Sequence, residues 1–95
     1  MLTSKERAKL RGIASTYETI FQVGKGGIGD HLIGQVQDAL RERELIKLRV
    51  LENSMYDARE AAQILAEATE SEVVQVIGSR FVLYKRNPKD PVIDL

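Results

Sequence analysis

Cysteine and tryptophan are absent from this 95-residue chain, and proline occurs only twice. Aromatic side chains are confined to Tyr17, Phe21, Tyr56, Phe81 and Tyr84. Without cysteine there can be no disulfide framework, no thiolate zinc site and no cysteine nucleophile, which fits a reducing compartment. No apolar run approaches the roughly 18 residues of a membrane span. The opening Met1-Leu2-Thr3-Ser4-Lys5-Glu6-Arg7 lacks the apolar stretch of a signal peptide. Net charge is also lacking: 14 Lys and Arg balance 14 Asp and Glu. A cytoplasmic protein with no membrane partner is expected. The length suits one domain, and a hydrophobic fraction of 43% is enough for one core and too high for a disordered chain.

The zero net charge hides a gradient. Residues 1–50 hold nine basic and six acidic residues, while residues 51–95 hold five and eight. Lys5, Arg7, Lys9, Arg11 and Lys25 dominate the start; Glu52, Asp57, Glu60, Glu67, Glu70 and Glu72 crowd a later stretch. Such asymmetry implies one basic and one acidic face, against the plainer reading of solvated charge.

Thr3-Ser4-Lys5-Glu6 opens a helix with a capping-box pattern. Leu10, Ile13 and Ala14 follow at helical spacing, and the helix is expected to end near Thr16. Lys5 and Lys9 share one stripe and Arg7 and Arg11 another, bordering the apolar face on opposite sides. Thr19 to Val23 is β-branched and aromatic, as a short strand requires. A second helix follows Asp30, with Leu32, Ile33, Val36, Ala39 and Leu40 as its apolar face. Leu45 to Leu51 alternates with period two and reads as a half-buried strand. Ala58, Ala61, Ala62, Leu65 and Ala68 form the stripe of a third helix, from about Tyr56 to Glu70. Strands are expected over Val73–Ile77 and Arg80–Lys85, joined at Gly78-Ser79 by a type II′ turn. Asn87-Pro88-Lys89-Asp90-Pro91 breaks structure, so residues 87–95 read as an extended tail after a domain over residues 1–86. The order α-β-α-β-α-β-β predicts a two-layer α/β fold on a mixed four-stranded sheet.

The loudest motif is Gly24-Lys25-Gly26-Gly27-Ile28-Gly29, between a strand and a helix. It spells the dinucleotide pattern G-x-G-x-x-G, but four strands offer no crevice between two β-α-β-α-β halves, and Glu52 lies too far along for the ribose. A Walker loop needs Gly-Lys-Ser/Thr, which is missing. The third reading is a G-x-x-G loop carrying a lysine. Its glycines let backbone N–H groups approach a sugar-phosphate chain, Lys25 supplies charge, and the next helix contributes its dipole. KH domains clamp nucleotides with such a loop, though between two helices. A tight connector alone would need one glycine.

Four segments, in order, resemble the CRM RNA-binding domain: Ser4-Lys5-Glu6-Arg7-Ala8-Lys9-Leu10-Arg11; Phe21-Gln22-Val23-Gly24-Lys25-Gly26-Gly27-Ile28; Glu44-Leu45-Ile46-Lys47-Leu48-Arg49-Val50; and Val76-Ile77-Gly78-Ser79-Arg80-Phe81-Val82-Leu83-Tyr84-Lys85-Arg86. The likeness is to the free-standing bacterial form, the YhbY-like proteins, and covers about residues 2–86. It implies a fold like the C-terminal domain of translation initiation factor 3, with sheet order 1-2-4-3 behind an extra first helix. It also implies association with precursors of the large ribosomal subunit; plant organelle relatives assist intron splicing. The family loop matches Gly24, Lys25, Gly26 and Gly27. Gly29 departs from it, because many members place Thr or Ser there, where the hydroxyl can cap the helix.

The remaining residues read plainly. His31 is a surface residue near a helix start, with a phosphate contact as the alternative. Glu42/Glu44 and Asp57/Glu60 are expected on solvated helical segments, so no acid/base pair is assigned. Lys47 and Arg49 share a strand face, and Arg80 and Arg86 flank the last strand; these four either solvate an open sheet face or meet RNA. Tyr84 sits in the core or rim or stacks on a base. The resulting expectation is a monomeric, non-enzymatic protein that binds ribosomal RNA without a cofactor or metal. Its site is Gly24, Lys25, Gly26 and Gly27, extended by Lys5, Arg7, Lys9 and Arg11. The alternatives are a protein-binding module using the acidic third helix through Glu60, Glu67 and Glu70, and a small nucleotide-binding protein.

Overall fold

The computed structural model describes residues 2–95; Met1, the first residue of the expected domain, lies outside them. The elements are α1 (Ser4–Ala14), β1 (Phe21–Val23), α2 (Asp30–Arg43), β2 (Leu45–Val50), α3 (Ala58–Thr69), β3 (Glu72–Ile77) and β4 (Arg80–Tyr84). The sheet order is β1-β2-β4-β3, as the family resemblance implies. β1 runs parallel to β2, and β4 is antiparallel to both of its neighbours. Thr3 and Asp57 each close a capping box, with Glu6 and Glu60 respectively; Asp57 and Glu60 are exposed, as expected, and also cap α3. The hairpin turns on Gly78 at φ 58°, with Ser79 outside the positive-φ region, which is the type II′ geometry.

Strand alternation sends two sets of side chains to opposite faces. On the front face Ile46, Leu48, Val50, Phe81 and Leu83 pack against α2 (Val36, Leu40) and α3 (Ala58, Ala61, Ala62, Leu65). Small alanines bring α3 close to the sheet. The expected stripe is shifted at its end, because Ala68 is exposed while Ala66 and Thr69 are buried.

On the reverse face Leu45, Val74, Val82 and Tyr84 pack against Leu10 and Ala14 of α1 and Ile93 of the tail. The two-layer core of sheet, α2 and α3 therefore carries a partial third layer. The tail is not merely extended: it folds back, and Ile93 is only 9% exposed. Tyr84 is 4% exposed, which removes it from base stacking.

Glu44 holds the tail in place. It was expected on a solvated helix, yet it is fully buried at the α2–β2 corner, with φ 64°. Its carboxylate accepts from the backbone N–H of Asn87 (2.6 Å), Val92 (2.8 Å) and Ile93 (2.7 Å). Burial pushes its pKa up. The three N–H donors, with the charge of Arg86, outweigh that and leave it below the ordinary carboxylate range. A single carboxylate thus satisfies three donors of a segment that has no strand partner.

Candidate nucleic-acid interface

β1 and β2 run in the same direction, so their C-terminal ends emerge together, beside the Gly78–Ser79 hairpin. The glycine loop leaves from that end. The Gly27 N–H donates to the Gly24 carbonyl at 3.0 Å, making a turn with Lys25 and Gly26 exposed at its tip. Gly27 has φ 74°, a region that side chains with a Cβ resist. Gly24 is held for another reason: a Cβ there would lie 3.3 Å from Leu51 Cδ1, in the β2–α3 connection. A Cβ on Gly26 would meet nothing within 4 Å. The loop is therefore anchored at Gly24, bent at Gly27 and open on the side between them.

Gly29 begins α2 as its N-cap, with no side-chain hydrogen bond to the first turn. The first N–H groups of α2 consequently lack the hydroxyl partner that a Thr or Ser would supply. Asp30 places one carboxylate there, complementing the helix dipole. His31 is exposed in the same turn, as expected. Backbone donors, a flexible cation and a helix start thus converge in a solvent-facing turn, an arrangement suited to an anionic oxygen.

The basic residues of α1 are placed differently. α1 packs on Leu45, Val74, Val82 and Tyr84, toward the far end of the strands from the loop. Five steps of β2 separate Leu45 from Val50, about 17 Å at strand rise. Arg7 donates to the carbonyl of Val73 and Lys9 to the carbonyl of Asp94. Their stripes border opposite sides of α1, as their spacing implied. Those two cations tie α1 to β3 and to the tail, while Lys5 and Arg11 remain exposed.

The sequence offers Lys47, Arg49 and Arg80 to an open sheet face, and the register shows how two of them meet. Arg80 stands directly across from Arg49, which stands directly across from Gln22. The signal existed in the period-two alternation of both strands; the β2–β4 register that unites them is a long-range pairing no local pattern declares. On the front, Glu60, Glu67 and Glu70 of the α3 region are exposed. Among the described residues, no group of three His, Asp or Glu side chains gathers as a metal site, and no helix is long and apolar enough to cross a membrane.

Comparison with known proteins agrees with this architecture. The family model of the CRS1 / YhbY (CRM) domain matches residues 2–85. A Bacillus subtilis protein named probable RNA-binding protein YqeI is 44% identical over 95 residues, covering 100% of this chain and 99% of its own. A Haemophilus influenzae protein named RNA-binding protein is 30% identical over 88 residues, covering 88% of this chain and 85% of its own. The solution structure of the hypothetical protein SAV1595 from Staphylococcus aureus superposes with a TM-score of 0.82 at 48% identity, covering 100% of this chain and 99% of that one.

Proposed function

The chain belongs to the CRS1 / YhbY (CRM) domain family, and from that premise we propose that it is a non-enzymatic RNA-binding protein. In this reading it acts as a cytoplasmic monomer that engages ribosomal RNA and assists assembly of the large ribosomal subunit. The observation that carries the proposal is the turn Gly24–Gly27, which presents Lys25 and open backbone beside the uncapped start of α2. A phosphate approaching the turn meets Lys25 as a point charge and finds backbone N–H donors behind it. None of this reads a base edge, so the loop would position RNA and leave selectivity to RNA shape and to further contacts.

The names of the relatives support RNA as the partner. The large-subunit assignment follows from the CRM resemblance. Crosslinking in cells, followed by sequencing of the recovered RNA, tests it. Enrichment of large-subunit ribosomal RNA and its precursors is the expected result. Enrichment of other RNA classes would overturn the ribosomal part, and recovery of none would overturn RNA binding.

A further inference from the structure

α1 and the tail cover only part of the reverse sheet face. Beyond them one row of residues crosses all four strands in register: Gln22 on β1, Arg49 on β2, Arg80 on β4 and Ile77 on β3. At roughly 4.8 Å between strands the row is roughly 14 Å long. Lys47 and Gln75 stand in the next layer on the same face, each across from Val82.

Three features of this row are unfavourable for an isolated sheet. Two arginines occupy directly opposite positions, where like charges repel. The Nε of Arg49 is shut off from solvent and has no hydrogen-bond partner. Ile77 is 60% exposed beside them. Neither guanidinium has a carboxylate within ion-pairing distance among the described residues. A polyanion laid along the row would neutralise the pair and cover the isoleucine.

Placement identifies which polyanion. Gln22 is two residues before Gly24, so the row begins where the glycine loop leaves the sheet. The groove on the opposite side of the hairpin is lined by Glu52, Asp57 and Glu60, which repel an anionic strand from that side. We propose that the Arg49–Arg80 row is a second contact surface for the RNA backbone, continuous with the glycine loop. RNA held at Lys25 would pass over the reverse face, with both guanidiniums on phosphates. This inference rests on the RNA-binding reading above.

The test compares Arg49→Gln, Arg80→Gln, their double variant and Lys25→Ala with the parent, by filter retention of total ribosomal RNA across a salt series and by thermal melts. The double variant should bind roughly tenfold or more weakly, with a log–log salt slope shallower by about 1.4–1.8 for two lost phosphate contacts. Its melting temperature should hold or rise, because a like-charge pair is gone; a structural role for the pair would lower it. If the double variant fails to fold, Arg80→Gln alone carries the test, since Arg80 is exposed. Affinity and slope within twofold of the parent, with Lys25→Ala weakened, would overturn this surface and leave the loop assignment standing. Unchanged RNA affinity with lost co-sedimentation on ribosomal particles would assign the row to a protein partner and overturn it too. A parent that retains no RNA at any salt would overturn the RNA-binding reading itself and this inference with it.

Discussion

The two faces of the sheet solve the same burial problem by different means. The front face is apolar: Leu48, Phe81 and Leu83 are fully buried against α2 and α3, and each fully buried large side chain contributes about 1.5–3 kcal/mol. The reverse face has one short helix and an irregular tail, and it is held by polar clasps. Arg7 bonds the Val73 carbonyl, Lys9 the Asp94 carbonyl, and Glu44 three tail N–H groups. Apolar packing secures the front by its area. The reverse adds a few directional bonds to its smaller apolar cluster, and the loss of Glu44 would leave the buried Ile93 N–H without its partner. Such a face can remain partly uncovered, and the uncovered part is where Arg49 and Arg80 stand.

The sharpest way to break the contrast is to attack the front. Leu48→Ala leaves a cavity in the centre of the front cluster and should destabilise the fold by about 2–5 kcal/mol. Denaturant melts would measure it. A loss below 1 kcal/mol, on the order of a surface change, would mean that the front is not the principal core.

Glu44→Gln tests the reverse at its clasp. The amide keeps the shape but loses the charge and one acceptor oxygen, and the expected loss is about 1–3 kcal/mol. Hydrogen exchange should quicken at Asn87, Val92 and Ile93 before it quickens in β2 or β4. The same clasp should respond to acid. A carboxyl whose folded pKa is below its unfolded value contributes stability that is complete above the unfolded value and is lost as pH falls through the folded one. Glu44 is such a group, so the tail should loosen below about pH 4.5 and hold at neutral pH. Glu6, lowered chiefly by the Thr3 backbone N–H, titrates in the same direction on the exposed capping box. Glu44→Gln should therefore flatten the acid limb of the tail's exchange and leave that of α1 in place. An unchanged acid limb would refute the clasp.

Gly27→Val takes the comparison to the loop. At φ 74° a β-branched side chain is strained by about 1–3 kcal/mol, although a Cβ there would meet no neighbour within 4 Å. Gly26→Ala, in open space without a positive φ, should be nearly silent in melts. Equal melting of the two variants would show that the turn relaxes without strain.

The front face was legible in the sequence because its signals are local. The alternation of Ile46, Leu48 and Val50 and the stripe of Ala58, Ala61, Ala62 and Leu65 each lie within a few residues. The glycine loop announces itself by composition, and the Gly78-Ser79 hairpin by its turn chemistry. The reverse face was not legible, because its determinants are long-range. Glu44 finds partners more than 40 residues away, Lys9 finds the carbonyl of Asp94, and Arg49 meets Arg80 only through the β2–β4 register. The charged run Arg41-Glu42-Arg43-Glu44 looks uniformly solvated, and nothing in it marks the last residue as the buried one. Likewise Lys5, Arg7, Lys9 and Arg11 look equivalent until the fold gives Arg7 and Lys9 carbonyl partners.

The smallest expected effect on the fold separates the loop from both faces. Lys25 is exposed at the tip of the turn, and its side chain takes part in neither cluster. Lys25→Ala should therefore shift stability by less than about 0.5 kcal/mol, as surface changes away from caps and cores do. Its consequence should appear in binding: one charge-assisted contact to a solvent-exposed phosphate is worth about 1 kcal/mol, or roughly a fivefold loss of affinity. The salt dependence should weaken by about 0.7–0.9 in the log–log slope, the signature of a single phosphate. A melt and a salt titration on the same preparation decide the matter. Unchanged affinity and slope would reduce the loop to a connector. A lost fold would show that the turn is part of the core, against its open geometry. A shallower slope with an unchanged melt would assign Lys25 to the ligand alone, which the clasps of Arg7, Lys9 and Glu44 cannot mimic, because each of them is also a fold contact.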